Sequence, residues 1–196
     1  MASLSSQPWA SMVQGLAQRY GIGCFVETGT YLGETTRFAA GVFPRVVTIE
    51  IKQEFQKQAV ARLQGFSNIE FLLGDSAALL PGVVSSLEGT ALFWLDGHAG
   101  AGFFADDDNC PLLGELQAIS ASPHPHVILI DDARAFLAPP PPPFKFERWP
   151  NIRQVLDGAC SRFSYYCIVL NDIIVCVPEA MRIDLVNFCN AARPKI

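Results

Sequence analysis

Short, unbroken apolar runs alternate along the chain with longer stretches whose apolar residues recur at helical spacing. The runs cover residues 24–27, 46–51, 69–73, 91–95 and 127–130 and are rich in Val, Ile, Leu and Phe. Successive strand side chains point to opposite faces, so a continuous apolar run marks a strand buried on both sides, as in a parallel sheet. The intervals hold helix-length segments at 34–41, 53–63, 76–87 and 112–121, and a further helix at 8–20 precedes the first run. Strand–helix alternation of this kind predicts a doubly wound α/β sheet with helices on both faces.

The end of the chain breaks the pattern. Runs at 165–170 and 173–177 are separated only by Asn171-Asp172, a spacing that predicts a tight antiparallel hairpin. The whole reads as a mostly parallel seven-stranded sheet with a C-terminal antiparallel hairpin, in one domain over 1–196. The N-terminal helix falls within 1–22, and loops at 97–110 and 138–149 border the carboxyl edge of the sheet. Pro139 to Pro143 in the second loop favour an extended conformation, either as a stiff surface linker or as a wall beside a ligand.

Composition narrows the partners. A formal net charge of −5, with no basic stripe, argues against nucleic acid. The apolar runs are strand-sized, so no membrane span is expected. Residues 1–20 lack the charged start and apolar centre of a secretory signal, and the six cysteines form no C-x-x-C pair; a reducing cytoplasm is the expectation. Cysteines in or beside apolar runs read as small hydrophobes. The N-terminal helix and apolar tail leave room for a homodimer, though nothing specific requires one.

The segment Glu27-Thr28-Gly29-Thr30-Tyr31-Leu32-Gly33 lies where the first strand gives way to a helix. Gly29 permits a tight turn, Gly33 permits close helix packing, and a helix N-terminus would face the ligand. Glu50 ends the second strand about twenty residues further on, where an acid accepts hydrogen bonds from ribose hydroxyls or simply meets solvent. Leu73-Gly74-Asp75-Ser76 follows the third strand, Trp94-Leu95-Asp96-Gly97-His98 the fourth, and Ile130-Asp131-Asp132 the fifth.

Glu-x-Gly-x-Tyr-x-Gly resembles the first motif of the catechol and caffeoyl-CoA O-methyltransferases, and the ordered series of motifs over 25–178 is also similar to the macrocin and novobiocin sugar O-methyltransferases. These are class I S-adenosylmethionine-dependent methyltransferases with a Rossmann-like fold. The resemblance implies that Glu27, Thr28, Gly29, Thr30 and Gly33 line the methionine side of the cofactor, that Glu50 binds the ribose, and that Asp75 and Ser76 sit at the adenine. Asp75 equally suits a helix N-cap.

Asp96, Asp131 and Asp132 fall at the ends of neighbouring strands. Converging carboxylates repel unless protonated or bound to a cation, and an all-oxygen set suits Mg2+. The resemblance implies a metal there that lowers the pKa of substrate hydroxyls. The alternatives are a contact from Asp96 to the methionine amine and a pairing of Asp131-Asp132 with Arg134. His98 stands where the catechol-type enzymes place a lysine base, and it suits either a general base or a hydrogen-bonding residue of the loop. His124 and His126 precede the fifth strand and read as structural. Asp106-Asp107-Asp108 read as a solvated acidic loop or as further ligands, and Glu115 is left open.

The function expected is methyl transfer to a hydroxyl of a small-molecule acceptor, a sugar or diol, with Asp96 and His98 at the reacting centre. The rivals are a non-catalytic nucleotide-binding module and a Rossmann-like enzyme that uses a nucleotide-sugar or nicotinamide cofactor.

Overall fold

The computed structural model describes residues 4–98, 110–140 and 144–192. Asp106-Asp107-Asp108, most of the first edge loop, and Pro141 to Pro143 of the second lie outside the described residues. The elements run α1 (Trp9–Tyr20), β1 (Cys24–Thr28), α2 (Glu34–Ala40), β2 (Arg45–Glu50), α3 (Gln53–Leu63), β3 (Ile69–Leu73), α4 (Ser76–Ser85), β4 (Ala91–Leu95), α5 (Leu112–Ser120), β5 (Val127–Ile130), α6 (Arg134–Leu137), α7 (Ile152–Ala159), β6 (Tyr165–Leu170), β7 (Ile173–Pro178) and α8 (Arg182–Ala192).

The seven strands lie in the order β3-β2-β1-β4-β5-β7-β6. β1 to β5 are parallel, and β7 is antiparallel to both β5 and β6. This is the doubly wound sheet and terminal hairpin that the apolar pattern predicts. Asn171 and Asp172 close the hairpin with left-handed φ values of 47° and 68°, as a two-residue primed turn requires.

Adjacent residues of the central strands feed two separate cores. Val26, Phe93, Leu95, Ile128 and Ile130 pack beneath α4, α5 and α7, while Phe25, Leu92, Trp94, Val127 and Leu129 pack against α1 and α8. Hence the runs could not alternate with polar residues. The two outer strands, β3 and β6, are the exceptions: both are only partly buried, and Leu73 and Val169 are exposed. No described helix is long and apolar enough to cross a membrane.

Registry fixes the site. Thr28 is level with Ile49 on one side and Leu95 on the other, and Leu95 is level with Ile130. Gly29, Glu50, Asp96 and Asp131 therefore emerge along one carboxyl edge. The strand order reverses between β2-β1 and β4, and open α/β sheets bind ligands at such a switch point.

Candidate active site

The turn after β1 is held by its backbone. Gly29 has φ +84°, and its N–H donates to the Ile49 carbonyl at 2.9 Å. A Cβ at Gly29 would overlap the Asp96 carbonyl group and lie 3.1 Å from the Gly97 nitrogen. The turn thus presses bare backbone against the end of β4. Gly33 serves differently from the expected helix–strand contact: a Cβ there would lie 2.8 Å from Leu63 Cδ1, so it lets α2 approach α3.

Three polar side chains of this turn point into the protein. Glu27 is 1% exposed, and its Oε2 accepts from Thr36 at 2.5 Å and from Thr48 at 2.7 Å. Thr30 lies 2.6 Å from Thr48 Oγ1, whose proton already goes to Glu27, so Thr30 is the donor. Thr28 is fully buried. Desolvation raises the Glu27 pKa to about 8, so at neutral pH it is mainly an uncharged acid bracing β1 to β2 and α2. The side chains of Glu27, Thr28 and Thr30 are thus turned into the protein, and what reaches the edge is the backbone around Gly29.

Glu50 is held for recognition. Its Oε2 accepts from the Tyr31 N–H at 2.8 Å and its Oε1 from the Lys52 N–H at 2.9 Å. Both carboxylate oxygens are oriented by backbone and keep further lone pairs for a diol. Tyr31 adopts φ +47° to make that bond, and its ring packs edge-on against Phe55 at 4.8 Å.

On the adenine side, Asp75 caps α4 by accepting from the Ala77 N–H at 2.9 Å, and it remains exposed. The Ser76 hydroxyl is turned toward α5, where it donates to Glu115 Oε1 at 2.5 Å. Glu115, on α5, is 1% exposed, and burial raises its pKa despite the Ser76 bond. A Cβ at Gly97 would lie 3.1 Å from Glu115 Oε1 and 3.1 Å from Thr28 Oγ1. Glu115 therefore ties together the starts of three edge loops. Its spacing gave no sign of this, because α5 is placed only by tertiary packing.

At the ends of β4 and β5, Asp96, His98 and Asp132 each place one ligand atom so that the atoms lie within 4.8 Å of one another. Asp131 stands outside this trio. It is buried, and its Oδ1 has no hydrogen-bond partner among the described residues. The trio shares Asp96 and Asp132 with the expected set of Asp96, Asp131 and Asp132 and adds His98, and Asp132 has a left-handed φ of 53°.

Charge is dense here. Desolvation raises Asp96 to about 7, against the attraction of His98 and with the repulsion of Asp131 and Asp132. His98 Nε2 lies 3.4 Å from Asp132 Oδ2, long for a hydrogen bond but close for charge attraction. Burial lowers the His98 pKa, yet Asp132 and Asp96 outweigh it and the net shift is upward. His98 in turn lowers Asp132. Arg134 pairs with Asp132 at 2.7 Å and also with Asp172, so the hairpin turn anchors the cluster. The alternative pairing of Arg134 is therefore realised with Asp132.

Aromatic side chains close the other side. The His98 ring packs edge-on against Phe136 and Trp149, both at 5.6 Å, and Phe144 meets Trp149 at 5.1 Å. The described end of the second edge loop thus forms a wall of the site. Trp149 ends the 138–149 loop expected at this edge, whereas Phe136 was not singled out from the sequence. His126 is remote at the start of β5, where Nδ1 accepts from the Ala91 N–H at 3.0 Å.

No protein-family model matches the chain, and no curated protein does so either. Solved structures do. The O-methyltransferase TomG from Streptomyces achromogenes, involved in tomaymycin synthesis and solved with S-adenosylmethionine, shares 18% identity over 88% of this chain and 80% of its own, with a TM-score of 0.62. The Bacillus cereus O-methyltransferase, solved with S-adenosylhomocysteine, shares 19% over 88% and 82%, with a TM-score of 0.61. An rRNA methylase from Streptococcus thermophilus shares 14% over 88% and 97%, with a TM-score of 0.53. The chain has the class I methyltransferase fold.

Proposed function

We propose that the chain is an S-adenosylmethionine-dependent methyltransferase that methylates a hydroxyl of a small molecule. The observation that carries this reading is the pairing of the Gly29 turn, closed against Asp96 with no room for a Cβ, with Glu50 fixed by two backbone N–H groups. S-adenosylmethionine supplies an electrophilic methyl group on a sulfonium centre. The surrounding carboxyl groups favour its positive charge, and Glu50 accepts from its ribose hydroxyls. Two of the similar structures carry O-methyltransferase in their names, and the acidic balance of the chain disfavours an RNA acceptor.

His98 accepts the acceptor hydroxyl proton at Nε2, and the Asp132 carboxylate, 3.4 Å from that nitrogen, stabilises the imidazolium that forms. Arg134, held by Asp172, fixes Asp132. Phe136 and Trp149 exclude water around the imidazole. Asp96, His98 and Asp132 also fit a divalent cation, but an imidazole with two carboxylates suits manganese or zinc better than Mg2+. Such a cation would polarise the acceptor hydroxyl. The same Nε2 cannot bind it and take the proton.

The test is production of S-adenosylhomocysteine from S-adenosylmethionine with a panel of phenols, diols and sugars, with and without added Mn2+ or Mg2+. Turnover with a hydroxyl acceptor is expected, and His98→Ala should lower the rate roughly 10²- to 10⁴-fold. Because the His98 pKa is raised, the rate should climb as pH rises through that pKa and frees the imidazole, at higher pH than for an ordinary histidine. Cofactor binding without turnover on any acceptor would instead identify a non-catalytic module.

A further inference from the structure

Three of the six cysteines, Cys160, Cys167 and Cys176, meet at the hairpin edge of the sheet. Cys160 caps the C-terminus of α7 and is exposed. Cys167 lies in β6, half-buried, and Cys176 is its register partner on β7, fully buried. The Sγ atoms of Cys160 and Cys167 are 3.6 Å apart. A disulfide needs about 2.05 Å, so bonding requires a shift of roughly 1.5 Å at an exposed side chain just beyond the last turn of a helix. We propose that Cys160 and Cys167 form a dithiol site that small-molecule disulfides, such as glutathione disulfide, oxidise to a protein disulfide.

The three thiols have distinct positions in that reaction. Cys176 lies behind Cys167 and, with its S–H, favours the Cys167 thiolate, holding Cys167 below an ordinary thiol. Desolvation and the neighbouring Cys167 raise Cys160. Cys167 thiolate therefore attacks one sulfur of glutathione disulfide, forms a mixed disulfide and releases one glutathione thiolate. Cys160, losing its proton to solvent, then attacks Cys167 Sγ and expels the second glutathione. Two protein thiols become one S–S bond, and one glutathione disulfide becomes two thiols. The bond links the end of α7 to the outer strand β6. It is independent of the methyltransferase reading, since none of the three sulfurs belongs to the site at the carboxyl edge.

The test is equilibration of the whole chain with glutathione disulfide, alkylation, and peptide mass spectrometry. The expected product is a single Cys160–Cys167 bond, reversed by dithiothreitol, with Cys176 unchanged. Cys160→Ser alters an exposed side chain, and it should stop at glutathione attached to Cys167. Cys176→Ala, which has no donor, should slow the first step roughly 3- to 10-fold at neutral pH. The proposal is overturned if Cys160 and Cys167 both stay open to alkylation, or if Cys160→Ser still forms an internal disulfide, which would place the bond between Cys167 and Cys176.

Discussion

At the residue scale, the account turns on a few positions with no freedom to change. Gly29→Ala combines a left-handed backbone with a clash against the Asp96 carbonyl. We expect a loss of about 3 kcal/mol in urea unfolding, from backbone strain and overpacking together. Glu27 gives a pH signature. Its folded pKa is about 8 against 4.5 for a free carboxyl, so between these values the folded state holds a proton that the unfolded state releases. Stability from this group is present below about pH 4.5 and is lost as pH rises toward 8. Glu27→Gln, which cannot ionise, should therefore gain on the native chain across that interval. His126 acts on the acid side. Burial lowers it to about 4 from 6.5, so the unfolded state takes up a proton first and stability falls as pH drops from 6.5 toward 4. His126→Asn should flatten that limb in urea titrations run at a series of pH values.

At the element scale, the five parallel strands were legible because each must be apolar on both faces, and the hairpin because two polar residues alone separate its strands. β3 shows the limit of that logic: its run is apolar, yet it lies at the edge and keeps an exposed Leu73. α7 escaped notice although Asn151 and Gln154 announce it. Asn151 Oδ1 accepts from the Gln154 N–H at 3.1 Å, and the Asn151 N–H donates to Gln154 Oε1 at 3.0 Å, a reciprocal cap. Its shortness and the proline-rich approach masked that signal. Asn151→Ala should cost about 1 kcal/mol. Hydrogen exchange should show the loss concentrated in α7. Because Trp149 lies two residues before this cap and walls His98, the same variant should loosen the site without touching any charged group.

At the scale of the whole molecule, the sequence located the carboxyl edge of the sheet but not its contents. Glu50 and Asp96 were readable because strand ends must come together at a switch point. The inward turn of Glu27, Thr30 and Ser76 was not, since it depends on partners at Thr48, Thr36 and Glu115 supplied by other elements. Nor was the close approach of His98 to Asp96 and Asp132. The central claim is that this edge binds S-adenosylmethionine through the Gly29 turn and Glu50. Calorimetric titration with S-adenosylhomocysteine, on the native chain and on Glu50→Ala, tests it most directly. The account predicts one site on the native chain and affinity weakened roughly 10- to 100-fold by the substitution, as for loss of a charged hydrogen-bond acceptor. No binding by the folded native chain, or equal binding by Glu50→Ala, would contradict it.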